Sequence, residues 1–200
     1  QAGVIEILYQ VVGGFTEQLA RQHSGGSLDI LGPIGQGFSI EGRAHQTAIV
    51  AGGIGVAPLV FLAEKLKAAG MDMPAVRVFI GGRTKSDILC EDDFADLGAT
   101  VSVATEDGSS GSKGMITEPL EQWLQHNNPR IIYACGPHGM LMAVGRVAGK
   151  NGIRCEVSIE TIMACGMGVC MGCAVPTNDV SDRYRHVCKD GPVFNVKVLL

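Results

Sequence analysis

Short apolar runs alternate with longer amphipathic segments through the middle of the chain. A run that is apolar throughout predicts a strand buried on both faces, as in a parallel sheet covered by helices. The predicted strands are 46–51, 75–80, 99–104, 130–134 and 154–159, and the predicted helices are 57–69, 115–125 and 137–150. This alternation indicates an α/β fold in which a parallel-sheet domain occupies residues 44–159.

The two ends of the chain do not follow that alternation. Near the N-terminus, 4–12 and 28–31 predict short strands and 16–22 predicts a short helix, which together bury too little to form a domain. We interpret 1–43 as the tail of a β-barrel whose N-terminal half is missing from the chain. Residues 160–200 form a third, small domain that is rich in Cys and Gly, with β-like runs at 174–177 and 193–199. A segment of this length buries little core, so a bound metal centre would have to stabilise it.

Composition excludes several classes of protein. The chain has 200 residues, 46% of them hydrophobic, and a net charge of -4, which gives no electrostatic basis for binding nucleic acid. No apolar run approaches the ~20 residues that span a bilayer. A basic segment followed by an apolar stretch, the pattern of a secretory signal, is not visible at the N-terminus. We therefore expect a cytoplasmic protein with no membrane span.

Four of the seven cysteines lie close together near the C-terminus. Cys165, Cys170 and Cys173 have the spacing C-x4-C-x2-C, and Cys188 follows later. This is the plant-type ferredoxin spacing, in which four thiolates hold a [2Fe–2S] cluster. The glycines that would let backbone N–H groups face the sulfur atoms are Gly166, Gly168 and Gly172.

Two other interpretations of these cysteines stay open. Structural zinc usually takes two C-x2-C-like pairs, whereas this chain has one. A disulfide framework fits poorly with an odd number of cysteines, three of them scattered upstream. The cluster is therefore the favoured prediction. We expect Met163, Met167 and Met171 to pack around it and limit the access of water.

A glycine-rich turn ends the first predicted strand. The segment G-G-I-G-V-A-P contains Gly52, Gly53 and Gly55 and opens a predicted helix, with Pro58 where the dinucleotide fingerprint has its last glycine. The glycines would let backbone approach a pyrophosphate, and the helix N-terminus would offer free N–H groups and partial positive charge. Alone this signal is weak, because many glycine-rich turns of this kind are merely structural.

Two further strand ends strengthen the prediction of a nucleotide site. Cys135, Gly136 and Pro137 form C-G-P at the end of one predicted strand, and Gly81 and Arg83 follow another. Ligands bind at the carboxyl ends of parallel strands. The sequence leaves NAD and NADP open, since Arg83 could hold a 2'-phosphate or be a surface charge. We interpret Cys135 as a buried thiol or a small residue beside a nicotinamide rather than as a nucleophile, because no histidine is paired with it.

These motifs, together with M-A-C-G-x-G-x-C-x-G-C and C-x-D-G-P-V-F, resemble the electron-transfer subunit of dihydroorotate dehydrogenase B, within the ferredoxin-reductase superfamily. The resemblance implies a flavin-binding barrel, an NAD-binding domain and a [2Fe–2S] domain, in that order. It also implies an FMN-containing catalytic partner in a hetero-oligomer, which we expect to be a heterotetramer. Electrons would pass from FMN through the cluster and FAD to NAD+, in pyrimidine biosynthesis.

The same resemblance implies which N-terminal residues contact FAD. They are Gly14 and Thr16 in V-V-G-G-F-T, and Gly32 and Pro33 in G-P-I-G-Q-G-F. The family's R-P-x-S flavin motif does not occur in this chain, and Phe15 stands where the family has a glycine. Related subunits of sulfide dehydrogenase and of NADH-dependent ferredoxin:NADP oxidoreductase share the domain order and remain alternatives. A zinc-stabilised nucleotide-binding module is the alternative that is not an enzyme.

Overall fold

The computed structural model describes residues 3–40, 45–178 and 183–199. Its helices, in chain order, are α1 (Gly14–Ala20), α2 (Val56–Ala68), α3 (Glu91–Leu97), α4 (Thr117–Leu124), α5 (His138–Lys150) and α6 (Val187–Asp190). Its strands are β1 (Thr47–Gly52), β2 (Val76–Gly82), β3 (Thr100–Thr105), β4 (Ser112–Lys113), β5 (Ile131–Cys135), β6 (Arg154–Ser158), β7 (Ala174–Pro176), β8 (Tyr184–His186) and β9 (Val193–Asn195). None of the described helices is both long enough and apolar enough to cross a bilayer.

A seven-stranded sheet in the order β4-β3-β2-β1-β5-β6-β9 organises the molecule. All neighbouring pairs are parallel except β6 and β9, which are antiparallel. The chain moves outward from β1 to β4 on one side and from β5 to β9 on the other. The order therefore reverses between β1 and β5, which is where open α/β sheets bind their ligands.

Helices cover both faces of this sheet, which is why its central strands are apolar throughout. Neighbouring residues such as Ile49 and Val50 point to opposite faces, and both are fully buried. On one face, α2 and α3 contribute Leu59 and Phe94 to the core. On the other, α4 and α5 pack over the sheet, and this core also includes Cys173 and Cys188.

The C-terminal residues are attached to the nucleotide domain by a strand. β9 pairs with β6, with Val157 opposite Phe194, and thereby becomes the last strand of the main sheet. β7 and β8 form a separate antiparallel pair in which Ala174 lies opposite His186. The cysteine-rich segment thus lies between β6 and a strand that returns to the same sheet.

The structure confirms the predicted strands and helices of the parallel-sheet domain, with small shifts in their bounds. The strands predicted at 4–12 and 28–31 are wrong, because that backbone pairs with no strand among the described residues and its apolar side chains are exposed. The short helix predicted beside them forms as α1, two residues earlier than expected. The predicted domain boundary at 43/44 falls at 41–44, outside the described residues, as do residues 1 and 2 of the predicted barrel tail.

Candidate functional site

The glycine-rich turns predicted for a nucleotide meet at one edge of the sheet. In the strand register, Gly52 lies opposite Gly81, and Ala51 lies opposite Cys135. The first turn leads into α2 and the C-G-P turn leads into α5, so the N-termini of both helices face this edge. Free N–H groups and the partial positive charge of two helix ends suit a pyrophosphate.

The turns after β1 and β5 lie against each other backbone to backbone. A Cβ atom at Gly55 would stand 2.6 Å from the backbone of Cys135 and Gly136, closer than any real contact. A Cβ atom at Gly52 would stand 2.8 Å from Cδ of Pro137. Gly53, by contrast, has φ +51 and open space around it, which leaves its backbone accessible to a ligand.

The thiol of Cys135 is held neutral beside these turns. Its side chain is buried, and burial raises its pKa to about 11, although a hydrogen bond from Ser158 acts in the opposite direction. A thiol with that pKa is protonated at neutral pH and is a poor nucleophile. The expectation of a buried, unreactive thiol therefore agrees with its surroundings. Ser158 was not predicted, because a serine in a strand that already carries Arg154 and Glu156 gives no signal in the sequence; it lies opposite Cys135 in the pairing of β5 with β6.

Arg83 follows β2 in a turn closed by a carboxylate. The N–H groups of Arg83 and Thr84 both donate to Oδ2 of Asp87 at 3.0 Å. Lys85 N–H donates to the hydroxyl of Ser109, whose own hydroxyl donates to Asp107. Both carboxylates are thus bound within the turns at this edge, that of Asp87 by backbone N–H groups and that of Asp107 by Ser109.

The four C-terminal cysteines come together as two pairs of thiols. Cys173 Sγ lies 3.2 Å from Cys188 Sγ, and both side chains are buried. The Cys165 and Cys170 thiols are hydrogen-bonded to each other and lie nearer the surface. No three His, Cys, Asp or Glu side chains of the described ranges gather around a single point as they would around one metal ion.

Backbone N–H groups of the cysteine loop point at the sulfur atoms. Cys165 Sγ accepts from the N–H groups of Met167, Val169 and Cys170 at 3.4–3.5 Å. Gly168 N–H donates to Cys188 Sγ at 3.1 Å, which links the loop to the distant cysteine. Gly166 and Gly168 have φ of +70 and +80, so glycine is needed to turn these amides inward.

These amides stabilise thiolates. The N–H group of Met167, followed by those of Cys170 and Val169, lowers the pKa of Cys165 to about 6. In the inner pair, formed by the buried Cys173 and Cys188, the backbone at Cys188 lowers the pKa of Cys173, while the hydrogen bond with Cys173 raises the pKa of Cys188. Cys173 therefore loses its proton more readily than Cys188, as expected when two like charges come close.

The donor set fits a binuclear iron–sulfur cluster. Such a cluster has two irons, each of which takes two thiolates, and the structure offers two thiol pairs with N–H groups aimed at them. Met163, Met167 and Met171 are each about half exposed, and their packing around a bound cluster stays a prediction.

The predicted flavin contacts lie in the N-terminal segment and are exposed, apart from the half-buried Thr16. Gly14 and Thr16 are at the start of α1, which buries none of its residues. The Thr16 hydroxyl accepts from the N–H groups of Val12 and Gly13 and donates to Gly13 O, so it shapes the turn. Gly32 and Pro33 lie farther on, where a Cβ atom at Gly32 would meet nothing within 4 Å.

Comparison with known proteins identifies a nucleotide-binding domain and, after it, an iron–sulfur domain. The family model described as the iron–sulfur cluster binding domain of dihydroorotate dehydrogenase B matches residues 160–200. The model of the oxidoreductase NAD-binding domain matches residues 49–146. The chain is thus an oxidoreductase with a nucleotide-binding domain of the ferredoxin-reductase kind and an iron–sulfur domain.

Curated relatives define the family more narrowly. The dihydroorotate dehydrogenase B (NAD(+)) electron transfer subunit of Caldanaerobacter subterraneus subsp. tengcongensis is 41% identical over 190 residues, covering 94% of this chain and 72% of that protein. The subunit of the same name from Desulforamulus reducens is 37% identical, covering 96% and 72%. The chain belongs to the family of dihydroorotate dehydrogenase B electron transfer subunits.

Solved structures support the fold. A structure of an NADH-dependent reduced ferredoxin–NADP oxidoreductase is 30% identical, with a TM-score of 0.79, covering 96% of this chain and 67% of that one. The cytochrome b5 reductase domain of Ulva prolifera nitrate reductase has a TM-score of 0.57 at 22% identity, covering 70% and 61%, which shows likeness of fold alone.

Proposed function

We propose that the chain holds a [2Fe–2S] cluster on Cys165, Cys170, Cys173 and Cys188 and transfers electrons between this cluster, FAD and NAD. The observation that carries the proposal is the arrangement of these thiols as two pairs beneath a loop whose N–H groups face the sulfurs. Amides directed at sulfur stabilise the more negative, reduced state of a cluster.

The residues at the sheet edge would bind the nicotinamide nucleotide. Gly53 and Gly55, with the N-terminus of α2, suit its pyrophosphate, and Gly52 and Gly81 leave the strand ends free of side chains. Cys135, Gly136 and Pro137 would form the wall beside the nicotinamide, where a neutral thiol adds no competing charge. Arg83 would lie by the ribose. Hydride transfer between nicotinamide and flavin needs no general base, so the protein's part is to orient the rings.

The N-terminal segment would contact FAD through Gly14, Thr16, Gly32 and Pro33. Residues 1–43 would be the end of the barrel that holds this cofactor. When bound, a flavin exchanges single electrons with a cluster and an electron pair with a nicotinamide, which a cluster alone cannot do. This interpretation accounts for the many exposed apolar side chains along the N-terminal segment, such as Ile5, Val12 and Leu31.

A catalytic partner would supply the electrons. By family membership, we propose an FMN-containing subunit that oxidises dihydroorotate, in a cytoplasmic heterotetramer serving pyrimidine biosynthesis. The cluster loop presents an apolar rim beside the exposed Cys170, in which Ile162 is 81% and Val169 is 75% exposed. An apolar patch of this kind, next to the site where electrons would enter, suits coverage by a protein partner.

A second candidate is the corresponding subunit of an NADH-dependent ferredoxin–NADP oxidoreductase, which the 30% identity to that solved structure favours. The two candidates differ in the electron donor. Mixing the purified, reconstituted chain with an FMN-dependent dihydroorotate dehydrogenase catalytic subunit should give dihydroorotate-dependent reduction of the cluster. Reduction by ferredoxin or NADPH, with none by dihydroorotate, would favour the second candidate.

Anaerobic reconstitution with iron and sulfide tests the cluster itself. The chain should take up about two irons and two sulfides, become brown, and give the EPR signal of a reduced binuclear cluster after dithionite treatment. A colourless protein with one zinc per chain would instead identify the zinc-stabilised module and overturn the proposal.

A further inference from the structure

Residues 34–36, which we name the bridging segment, touch the loop that carries three of the four cysteines. Cδ1 of Ile34 lies 3.6 Å from the position that a Cβ atom would take at Gly166. Gly166 directly follows Cys165, and the amides after it are those that donate to the Cys165 sulfur. Ile34, which is half-exposed, therefore lies beside the backbone that follows Cys165.

The same segment also holds the part of the chain that carries Cys188. Gln36 N–H donates to Gly191 O at 2.5 Å, and Gln36 O accepts from Val193 N–H at 3.4 Å. These bonds place Gln36 in a parallel bridge opposite Pro192. The backbone that follows Cys188 is thus fixed between the bridging segment and the main sheet, which β9 joins at Val193.

Gly35 allows the close approach between these two parts of the chain. Its φ is +76, and a Cβ atom there would overlap the carbonyl oxygen of Gly191. Gly37, two positions later, has open space where its Cβ atom would stand and no positive φ. The requirement for glycine is therefore specific to position 35.

The next residues attach this segment firmly to the sheet. Ser39 N–H donates to the buried carboxylate of Glu156 at 2.9 Å, and Tyr133 donates its hydroxyl to Ser39 O at 2.7 Å. The ring of Phe38 packs edge-on against Tyr133 at 5.6 Å. The residues that follow the bridging segment are thus bound to β5 and β6, while the chain before it is exposed.

We propose that the bridging segment is a positioning element, which holds both cysteine-bearing segments in place beside the flavin contacts Gly32 and Pro33. This inference rests on the proposed function, because it assumes the cluster and the flavin. The reason is geometric: two cluster ligand segments distant in sequence need a common support, and residues 34–36 contact both of them. Since Ile34 adjoins Pro33 in the chain, the same element sets the position of the cluster relative to the flavin.

The test compares Gly35→Ala with Gly37→Ala in the full chain after anaerobic reconstitution. Gly35→Ala should lose iron to a chelator several-fold faster than the unsubstituted chain and show an altered EPR line shape. Gly37→Ala should match the unsubstituted chain in both measurements. NADH binding and thermal unfolding of the parallel-sheet domain should stay the same in both variants, which would exclude general unfolding.

Ile34→Ala, compared with Ile30→Ala, provides a milder second variant. Loss of the Ile34 side chain admits water to the peptide at Gly166, which stabilises the more charged, reduced cluster and should shift its midpoint potential to more positive values. Ile30 is 59% exposed, and its substitution should shift nothing. Equal iron retention, EPR spectra and midpoint potentials in all variants would overturn the positioning role of the bridging segment and leave the proposed function intact. Absence of iron from the unsubstituted chain would overturn the proposed function and the bridge with it.

Discussion

The Sγ atoms of Cys173 and Cys188 lie 3.2 Å apart, although the two residues are 15 positions apart in the chain. Both side chains belong to the same hydrophobic core as the helices on that face of the sheet. The inner half of the ligand set is therefore assembled by the packing of the protein, whereas the outer half, Cys165 and Cys170, lies within one loop near the surface. The two halves are expected to respond differently to substitution.

Replacing an inner cysteine should remove the cluster without unfolding the sheet. Cys188→Ala leaves the inner pair with one thiolate and offers no other ligand atom, so we expect iron content to fall by more than half and the EPR signal of the reduced cluster to disappear. Cys155→Ala is the matched control, because Cys155 is also buried but lies in β6 and is not one of the four predicted ligands. Iron and sulfide analysis of both variants checks this, and full iron retention by Cys188→Ala would contradict the ligand assignment.

Gly55→Ala should damage the nucleotide site and lower stability together. The added methyl group would collide with the backbone of Cys135 and Gly136, and overpacking of this kind typically costs about 1–3 kcal/mol. NADH affinity, measured by titration calorimetry, should fall several-fold at the same time. Gly149→Ala, where nothing lies within 4 Å of the added carbon, should leave affinity unchanged and stability equal or higher. Unchanged NADH affinity in Gly55→Ala would show that the turn does not bind the nucleotide.

Tyr133→Phe tests how strongly the sheet holds the N-terminal segment. The substitution removes the hydrogen bond from the buried hydroxyl to Ser39 O while keeping the ring against Phe38, which should cost about 1 kcal/mol of unfolding free energy. Tyr184→Phe, at a side chain that is 57% exposed, should change stability little. Chemical denaturation of both variants measures the difference, and equal midpoints would indicate that the Ser39 contact contributes nothing.

Stability should decline on the alkaline side in a way that depends on Cys155. Burial, followed by the nearby charge of Glu156, raises the pKa of this thiol from the ordinary value of 9.0 to about 12. Because the neutral thiol is favoured only in the folded chain, its contribution is complete below pH 9 and is lost as pH rises toward 12. Thermal unfolding between pH 8 and pH 11 should show a steeper decline for the unsubstituted chain than for Cys155→Ala. Parallel curves for the two proteins would mean that Cys155 ionises equally well in both states.

The sequence predicted the parallel sheet and the cysteine site well, because both depend on local patterns. Apolar runs such as Thr47–Gly52 are recognisable wherever a strand is covered on both faces, and the C-x4-C-x2-C spacing brings its own geometry. The glycines of the cysteine loop were also anticipated, and the positive φ angles of Gly166 and Gly168 are ones that glycine adopts without strain.

Features that depend on distant parts of the chain were missed. The apolar run 4–12 has the composition of a strand, but a strand forms only with a partner, and none is available to it among the described residues. The contacts of Ile34 with Gly166 and of Gln36 with Gly191 join segments more than a hundred positions apart, and no sequence motif predicts them. Short elements such as α3 and β8 were overlooked because their lengths give too little periodicity to detect.

The antiparallel pairing of β9 with β6 makes the parallel-sheet domain depend on the C-terminal segment that carries the cysteines. Truncating the chain after β6 to isolate a nucleotide-binding fragment would remove the last strand of the sheet. The backbone N–H and C=O groups of Glu156–Ser158 that pair with β9 would then be unpaired at an exposed sheet edge. An unpaired edge strand of this kind can pair with strands of other molecules. A fragment made that way would be prone to aggregate through β6. The C-terminal segment that carries the cysteines therefore also protects the nucleotide-binding sheet from aggregation, because its strand β9 covers that edge.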